Sequence, residues 1–432
     1  MTTGKLAILV GGGPAPGINS VIGAATIRTR LAGVEVIGIR DGFEQLMRGD
    51  TSQFVSLTID AVSRVHFRGG SFLGIARANP TKKPELLDTC VATLQKIGVD
   101  KLITIGGDDT AFSSMNIEKR AAGAIRVVHV PKTIDNDLDL PPHVDTFGYQ
   151  TARHYGAEIL KNLMVDAKTT SRWYFVVAMG RTAGHLALGI GKASGATVTI
   201  IGEEFEHPIR LKTLVDTLAG SIIKRLAEGR KDGVAVLAEG LALHIDPEDL
   251  SGLLDVERDE HGHTRLAEVN LGDLLKAQVL KRLRALGVHS TIASKNIGYE
   301  LRCADPIPFD MEYTRDLGYC AAKFLLGGGT AAMVSMQGGH FVPIPFAQMI
   351  DPATGRTKVR LTNIQSTTYA IARRYMIRLR RDDFVDAAQL GKIAAVVKQS
   401  PDAFRQEFEY LTANEPAPLE LGEAYDRTWD KP

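Results

Sequence analysis

The sequence predicts an α/β protein of two domains with mainly parallel sheets, on three observations. Short apolar, β-branched runs alternate with helical stretches from the first residues onward, the rhythm of βαβ units. That pattern restarts after a long amphipathic stretch, which marks a second unit. Finally, two polar segments, Gly106-Gly107-Asp108-Asp109-Thr110 and Pro131-Lys132-Thr133-Ile134-Asp135-Asn136-Asp137, each follow an apolar run, Leu102 to Ile105 and Val127 to Val130. Each therefore sits where a buried parallel strand ends, the edge at which open α/β sheets bind ligands.

In order along the chain, Lys5 to Val10 reads as a strand and Gly11 to Gly17 as a loop, with Asn19 or Ser20 placed to cap a helix towards Leu31. Val34 to Ile39 is the next strand, Pro84 to Ile97 a helix, and Leu102 to Ile105 a strand. From Tyr149 to about Asp166, Ala152, Tyr155, Ile159, Leu160, Leu163 and Met164 recur at helical spacing and lead into the second unit. Trp173 to Met179, Ala196 to Ile201 and Val234 to Ala238 are its strands, with Ile297 to Leu301 a later one. Asp246 to His263 reads as a surface excursion, the chain after Ile364 as helical and Arg-rich, and Asn414 to Pro432 as an irregular tail.

Composition narrows the partners. A chain of 432 residues suggests two or three domains, and 51 Lys plus Arg against 50 Asp plus Glu give a net charge of +1. Nothing in that balance favours nucleic acid or an anionic membrane, so a small-molecule partner is expected. Cys90, Cys303 and Cys320 lack metal-ligand spacing and read as reduced thiols. Leu6 to Val10 is too short for a signal-peptide core, so a cytoplasmic location is expected. Phe324 to Ile350 carries no formal charge, but Gly327, Gly328, Gly329, Gly338, Gly339, Pro343 and Pro345 break it; a helix end followed by two strands is expected instead of a membrane span.

The chemistry concentrates at the two strand ends. Carboxylates, one Lys and bare backbone amides at one sheet edge suit Mg²⁺ and phosphate, the components of phosphoryl transfer. Asp108 is placed to hold Mg²⁺, which takes one or two carboxylates plus phosphate oxygens. As a lone Asp it would more often cap a helix, but Asp135 and Asp137 follow the next strand, and adjacent parallel strands bring the two clusters together. Gly11 to Gly17 follows a strand and opens a helix, so its amides can cradle a phosphate; alone, that signal is weak.

With these segments in place the sequence resembles the phosphofructokinase family, and more closely its diphosphate-dependent branch. The matched pieces are Gly11 to Asn19, Arg68-Gly69-Gly70-Ser71-Phe72-Leu73-Gly74 with Arg77, the two strand-end segments, Arg172 to Arg181 ending in Met-Gly-Arg, Ala238-Glu239-Gly240, and Tyr299-Glu300-Leu301-Arg302. The resemblance implies two Rossmann-like three-layer domains with the active site in the cleft between them. It implies a donor domain over residues 1–148 completed by about 311–370, a sugar-phosphate domain over 149–310, and a helical extension with a tail over 371–432.

It also implies roles. Asp135 is the base for the sugar 1-hydroxyl, ordered by Thr133 and Asp137. Met179, Gly180 and Arg181 line the sugar, Glu239 accepts from its hydroxyls, and Tyr299 and Arg302 close on the 6-phosphate. Arg172 reaches the sugar phosphate of a neighbouring subunit, implying a homo-oligomer of at least two chains. Arg77 lies near the transferring phosphoryl group, and Gly12, Gly13, Gly107 and Thr110 hold the donor. A loose phosphoryl transition state needs little activation of the nucleophile, so a carboxylate base suffices.

Donor choice rests on Asp109 and Lys132, which stand where the ATP-using branch has two glycines. A carboxylate at 109 repels a nucleotide α-phosphate; two like charges about 4 Å apart cost roughly 4 kcal/mol at an effective dielectric of 20. Lys132 supplies positive charge to a short donor. A weak surface ion pair between the two is the bland alternative. The expected reaction is diphosphate plus fructose 6-phosphate giving fructose 1,6-bisphosphate plus phosphate, with Mg²⁺, reversible and usable in glycolysis or gluconeogenesis.

The family's ATP branch carries an Arg where this chain has Met311, so part of the 6-phosphate clamp is expected from elsewhere, with Arg315 and Lys192 as candidates. Sedoheptulose 7-phosphate therefore stands as an alternative acceptor. ATP as donor, a non-catalytic regulatory subunit, and a nucleotide-cofactor or lipid kinase are the remaining rivals. The subunit reading is opposed by the presence of Asp108, Asp135, Arg77 and Arg181. His261 and His263 read as a surface turn, and Arg373, Arg374, Arg378, Arg380 and Arg381 as a basic helix face that is solvated, an intersubunit contact, or a seat for an anionic effector.

Overall fold

A computed structural model describes residues 4–250, 270–353, 355, 357–416 and 419. The chain divides into two compact units, one of residues 1–156 and 298–360, the other of 157–297 and 361–432. The excursion expected at 246–263 lies outside the described residues from 251 on, as do His261, His263 and most of the tail.

The first unit opens with β1 (Lys5–Val10), the helix Ile18–Arg30, β2 (Val36–Ile39) and β3 (Phe54–Ser56). The helix Pro84–Lys96 leads to β4 (Val99–Gly106), the helix Asp108–Ala121 and β5 (Arg126–Thr133), and β6 (Phe147–Gly148) runs beside the end of β5. Strands β1, β2, β4 and β5 are mutually parallel in the order β5-β4-β1-β2. Their alternate residues feed two cores: Leu6, Ile8 and Val10 lie in one, Ala7 and Leu9 in the other. All five are fully buried, which is why the strand reads as one unbroken apolar run. Each of the Leu, Ile and Val side chains among them contributes about 1.5–3 kcal/mol on burial.

The helix Tyr149–Thr170 carries the chain into the second unit. There β7 (Trp173–Ala178), β8 (Val198–Ile200), β9 (Gly233–Ala238) and β10 (Ile292–Ile297) form a fully parallel sheet in the order β10-β7-β9-β8. The chain then returns to the first unit through the helix Pro308–Leu326 and β11 (Ala332–Met333), β12 (Met336–Gln337), β13 (His340–Phe341) and β14 (Ile344–Pro345). β11 extends the first sheet parallel to β5, and β14 closes its edge antiparallel. Among the described residues no helix is long and apolar enough to cross a membrane.

Three expectations are revised. The last strand of the second sheet is Ile292–Ile297, and Tyr299–Arg302 is a helical turn. β10 is an edge strand whose Ser294, Lys295 and Asn296 are not buried, so it lacked the apolar signature. Second, the division falls at Gly156/Ala157 and Ile297/Gly298 instead of 148/149 and 310/311, which puts Tyr299 and Arg302 with the donor segments. Third, the segment after 371 is no separate extension. Leu379, Phe384, Leu390, Ile393, Phe404 and Phe408 share one core with Phe175 of β7 and with the helices Leu211–Ala227 and Leu271–Ala285. A largely buried Lys224–Asp383 ion pair of 2.6 Å joins the first of those helices to this segment.

The expected basic face is also revised. Arg373 and Arg378 donate to Glu204, Arg380 to the carbonyls of Arg373, Arg374 and Met376, and Arg381 to those of Thr412 and Ala413. Arg373, Arg378 and Arg380 are thus internal struts, while Arg381, though bonded to those carbonyls, and Arg374 are exposed.

Candidate active site

The two strand-end motifs meet as expected, because β4 and β5 pair in parallel with Gly106 opposite Pro131. Asp108 and Asp109 open the helix Asp108–Ala121, where carboxylates favour the positive helix end. His129 fixes this edge. Fully buried, its Nδ1 lies 2.9 Å from Thr104 Oγ1 and its Nε2 2.9 Å from the Gly106 carbonyl. Burial depresses its pKa to about 3, so it stays neutral, donating from Nε2 to Gly106 and accepting at Nδ1 from Thr104. In the sequence pattern His129 is merely one residue of an apolar strand.

Lys132 is 4% exposed, and its Nζ donates to the Gly13 carbonyl. Burial, the largest cause, lowers its pKa to about 8; Asp135, Asp137 and Asp108 push it back up, while Arg302 pushes it further down. Those causes locate one cluster: two cations and three carboxylates around the 11–13 loop. A Cβ at Gly13 would stand 2.9 Å from Arg302 Nη1. Gly12 takes a left-handed φ of 82°, which turns the loop so that its amide meets the carbonyl of Ala76, bringing the Arg77 backbone alongside. Thr110 is buried against Gly11 and Gly106, each of which would clash with it if it carried a Cβ. Gly107 is the N-cap of the helix.

Asp109 and the side chain of Arg77 are exposed. The surface ion pair weighed as the bland alternative is not what forms: Lys132 is inside and bonded to Gly13. Exposure of Asp109 moves its repulsion of a nucleotide towards the aqueous limit, about 1 kcal/mol at 4 Å instead of 4.

The 131–137 segment is held from below. The Asp135 amide donates to Thr133 Oγ1 at 3.0 Å, Thr146 Oγ1 donates to the Thr133 carbonyl at 2.8 Å, and Asn136 takes a φ of 57° tolerated by its short side chain. Arg360 braces the loop through the carbonyls of Asn136, Leu140, Pro141 and Val144 and through Asn136 Oδ1. Asp135 is 7% and Asp137 5% exposed.

Two further polar residues have structural roles. Asn19 does not cap its helix, which starts at Ile18 with Gly17 as N-cap. Its amide instead donates to the carbonyls of Arg68 and Gly69 and accepts from the Phe72 amide at 2.6 Å, clamping the Arg68–Gly74 loop. Asp310, fully buried, accepts from the amides of Gly148 and Thr151 and from Thr151 Oγ1. Arg302 lies over the Tyr299 ring, 4.6 Å from its centroid, a cation–π contact.

In the second unit Met179, Gly180 and Arg181 follow β7. Arg181 takes a φ of 54°, a strained state for a side chain of its size. Glu239, at the end of β9, holds it there: Oε1 accepts from the Gly180 amide at 3.1 Å and the Arg181 amide at 2.6 Å. Gly240 is required because a Cβ would stand 2.4 Å from the Arg181 carbonyl. Glu203 Oε1 accepts from the Gly184 amide at 2.8 Å and steadies the other end of the loop. The Arg181 side chain is exposed.

Arg172 precedes β7, so the six residues of that strand separate it from Met179, roughly 20 Å at 3.3 Å per residue. Within one second unit the two do not meet. Lys192, one candidate for a replacement phosphate clamp, donates to the Thr368 carbonyl. Arg315 lines a cavity with Arg28 and His66 in the first unit.

Asp108 offers a hard oxygen at the strand end, and among the described residues no three His, Cys, Asp or Glu side chains gather as a metal cage. That donor set fits Mg²⁺, which completes its shell with phosphate oxygens and water.

Mainly parallel sheets with a glycine loop, a buried lysine and aspartates at one strand edge define a phosphoryl-transfer class of α/β protein. Residues 5–325 match the family model described as phosphofructokinase, and the chain belongs to that family. It is 51% identical over 413 residues to the pyrophosphate--fructose 6-phosphate 1-phosphotransferase of Thermotoga maritima, covering 94% of this chain and 99% of that one. To the protein of the same name from Naegleria fowleri it is 49% identical over 416 residues, 94% and 95% covered. Among solved structures, the pyrophosphate-dependent phosphofructokinase of Marinobacter aquaeolei aligns with a TM-score of 0.63 at 16% identity, covering 97% of this chain and 94% of that one. The phosphofructokinase of Saccharomyces cerevisiae gives 0.66 at 19%, with 94% of this chain spanning 50% of that one. At such identities the likeness is one of fold.

Proposed function

We propose that the protein is a diphosphate-dependent phosphofructokinase: it transfers a phosphoryl group from diphosphate to the 1-hydroxyl of fructose 6-phosphate, reversibly, giving fructose 1,6-bisphosphate and phosphate. The observation that carries this reading is Lys132, a buried cation bonded to the glycine loop, paired in sequence with Asp109 beside the metal aspartate. The names of relatives near 50% identity support the same donor and acceptor.

In this mechanism the amides of Gly13 and Gly107 and the hydroxyl of Thr110 receive the terminal oxygens of diphosphate, while Gly12, its amide bonded to the Ala76 carbonyl, shapes the loop around them. Lys132, bonded to the Gly13 carbonyl, offsets negative charge on the transferred group as its bridging bond breaks, with Arg77 assisting from the adjoining segment. Asp135 accepts the 1-hydroxyl proton as the O1–P bond forms, and phosphate departs. Thr133 and Asp137 order the sugar end of the same segment. Asp108 would hold Mg²⁺, which when bound neutralises charge on the donor oxygens. Met179, Gly180 and Arg181 receive the sugar, positioned by Glu239, whose Oε2 remains the oxygen for a sugar hydroxyl. Tyr299 and Arg302 serve the 6-phosphate end. Arg172, remote from its own sugar loop, serves the sugar phosphate of a partner chain, which makes the working unit a cytoplasmic homodimer. Residues 1–156 and 298–360 carry the donor segments together with Thr133, Asp135, Asp137, Tyr299 and Arg302 for the sugar, and 157–297 carry the sugar loop.

Phosphorus NMR of the purified protein with Mg²⁺, diphosphate and fructose 6-phosphate tests this. Resonances of fructose 1,6-bisphosphate and phosphate are expected, and they should decay back to diphosphate when the products are supplied. A kcat/KM that strongly favours sedoheptulose 7-phosphate over fructose 6-phosphate would overturn the acceptor, and absence of any sugar bisphosphate would overturn catalysis.

A further inference from the structure

The second unit builds a further polar site where residues of the matched family segment, which ends at residue 325, meet the chain that follows it. A cavity of about 310 Å³ lies between the 204–210 loop and the C-terminal helices, with Arg210, Tyr369, Arg373, Arg378, Tyr410 and Asn414 in its wall. That is the lower end of the range for small-molecule sites.

Its inner charge is unbalanced. Glu204 Oε2 accepts from Nη1 of both Arg373, at 2.9 Å, and Arg378. The Glu204 side chain is 3% exposed, that of Arg378 9% and that of Arg373 17%. Two largely buried guanidiniums therefore share one buried carboxylate. Arg210 at the rim is balanced separately by Asp246 and Asp249, and Glu206 is exposed. Glu415 accepts from the Arg381 amide and, from outside the wall, also acts on Arg373, leaving Arg378 with Glu204. A guanidinium carries five donors in a planar fork, and among the described residues Arg378 has one acceptor, Glu204. Desolvated, underused forks of this kind suit the tetrahedral oxygens of a phosphate.

The same turn reaches the loop that carries Arg181. Next to Glu204, Glu203 Oε1 accepts from the Gly184 amide at 2.8 Å and from the Thr362 amide at 2.9 Å. A ligand that draws the two arginines from Glu204 changes what holds the 202–204 turn, and with it the carboxylate that anchors Gly184.

We propose that this cavity binds a small phosphate monoester and that its occupancy is felt at the 179–184 loop through Glu204 and Glu203. The site stands on the cavity and its arginines; the effect on turnover rests on the reading of 179–184 as the acceptor loop.

Calorimetric titration of the full-length protein with glycerol 3-phosphate tests the site. Arg378→Gln removes one fork; Thr213→Tyr fills the cavity from its wall while leaving Glu204 and both arginines in place. Binding to the unaltered protein should weaken at least about tenfold in both variants, since one charged hydrogen bond accounts for about that factor. It should persist in Arg181→Ala. No heat of binding, or binding lost in Arg181→Ala and kept in the cavity variants, would overturn the site. The KM for fructose 6-phosphate should shift at least about threefold under saturating glycerol 3-phosphate, and not in Thr213→Tyr; an unshifted KM in the unaltered protein would overturn the coupling. A protein that binds in the first experiment but turns over no fructose 6-phosphate would keep the site and refute the enzymatic reading.

Discussion

The two loops that carry the chemistry are built in opposite ways. At the donor edge the charge is inside: Lys132 is buried, tethered to Gly13 and surrounded by Asp108, Asp135 and Asp137. At the acceptor loop the charge is outside: Arg181 is exposed on a strained backbone, and carboxylates, Glu239 and Glu203, are turned to backbone amides. A fixed charge in a dry setting stabilises charge that develops only in the transition state. An exposed arginine on a braced loop recruits a charged substrate before and during reaction alike. Lesions at the first loop should therefore appear in kcat, and lesions at the second in KM.

Lys132→Ala gives the sharpest separation. It should lower kcat with diphosphate by about two to three orders of magnitude, the usual loss for one preorganised donor, with the KM for the sugar little changed. A large rise in sugar KM at unchanged kcat would merge the two loops into one function.

Protonation tests the same residue without mutation. The active form carries the proton, and the buried amine holds it with a pKa of about 8. The kcat/KM for diphosphate should thus be full below that value and fall about tenfold per unit above it, as one lost proton requires. Because the arginine guanidinium keeps its proton, Lys132→Arg should flatten that limb. A limb unmoved by Lys132→Arg would assign it to another group.

Glu239→Ala probes the acceptor side. Loss of a carboxylate that accepts from two amides should raise the KM for fructose 6-phosphate about tenfold and leave that for diphosphate unchanged. An equal loss in both would show that the loop is structural for the whole protein.

The smallest effect is expected at Asp109→Gly. Exposure reduces the charge term to about 1 kcal/mol, so ATP use should rise only about fivefold. A rise of a thousandfold would mean that the nucleotide meets Asp109 in a far drier setting than the free protein presents.

The donor edge was legible in the sequence because two apolar runs ended in polar motifs and the strands between them pair directly; position along the chain translated into position in space. Other features depended on tertiary context. Ser294, Lys295 and Asn296 hid a strand because an edge strand need not be apolar. His129 looked like part of such a run, since a neutral buried imidazole leaves no pattern. Asn19 looked like a helix cap because its partners, Arg68, Gly69 and Phe72, lie some fifty residues away. The arginines after 371 were open to three readings, a solvated face, an intersubunit contact or an anion seat, because Glu204 and the carbonyls they bond were not identifiable from spacing.

The central claim, that Asp109 and Lys132 select diphosphate, is tested most directly by measuring kcat/KM for diphosphate and for ATP on the purified protein with fructose 6-phosphate and Mg²⁺. A ratio favouring diphosphate by at least about a hundredfold is expected, because ATP both meets Asp109 and makes no use of Lys132 as a short donor does. A ratio at or below one would leave the family and fold as described and contradict the role assigned to both residues.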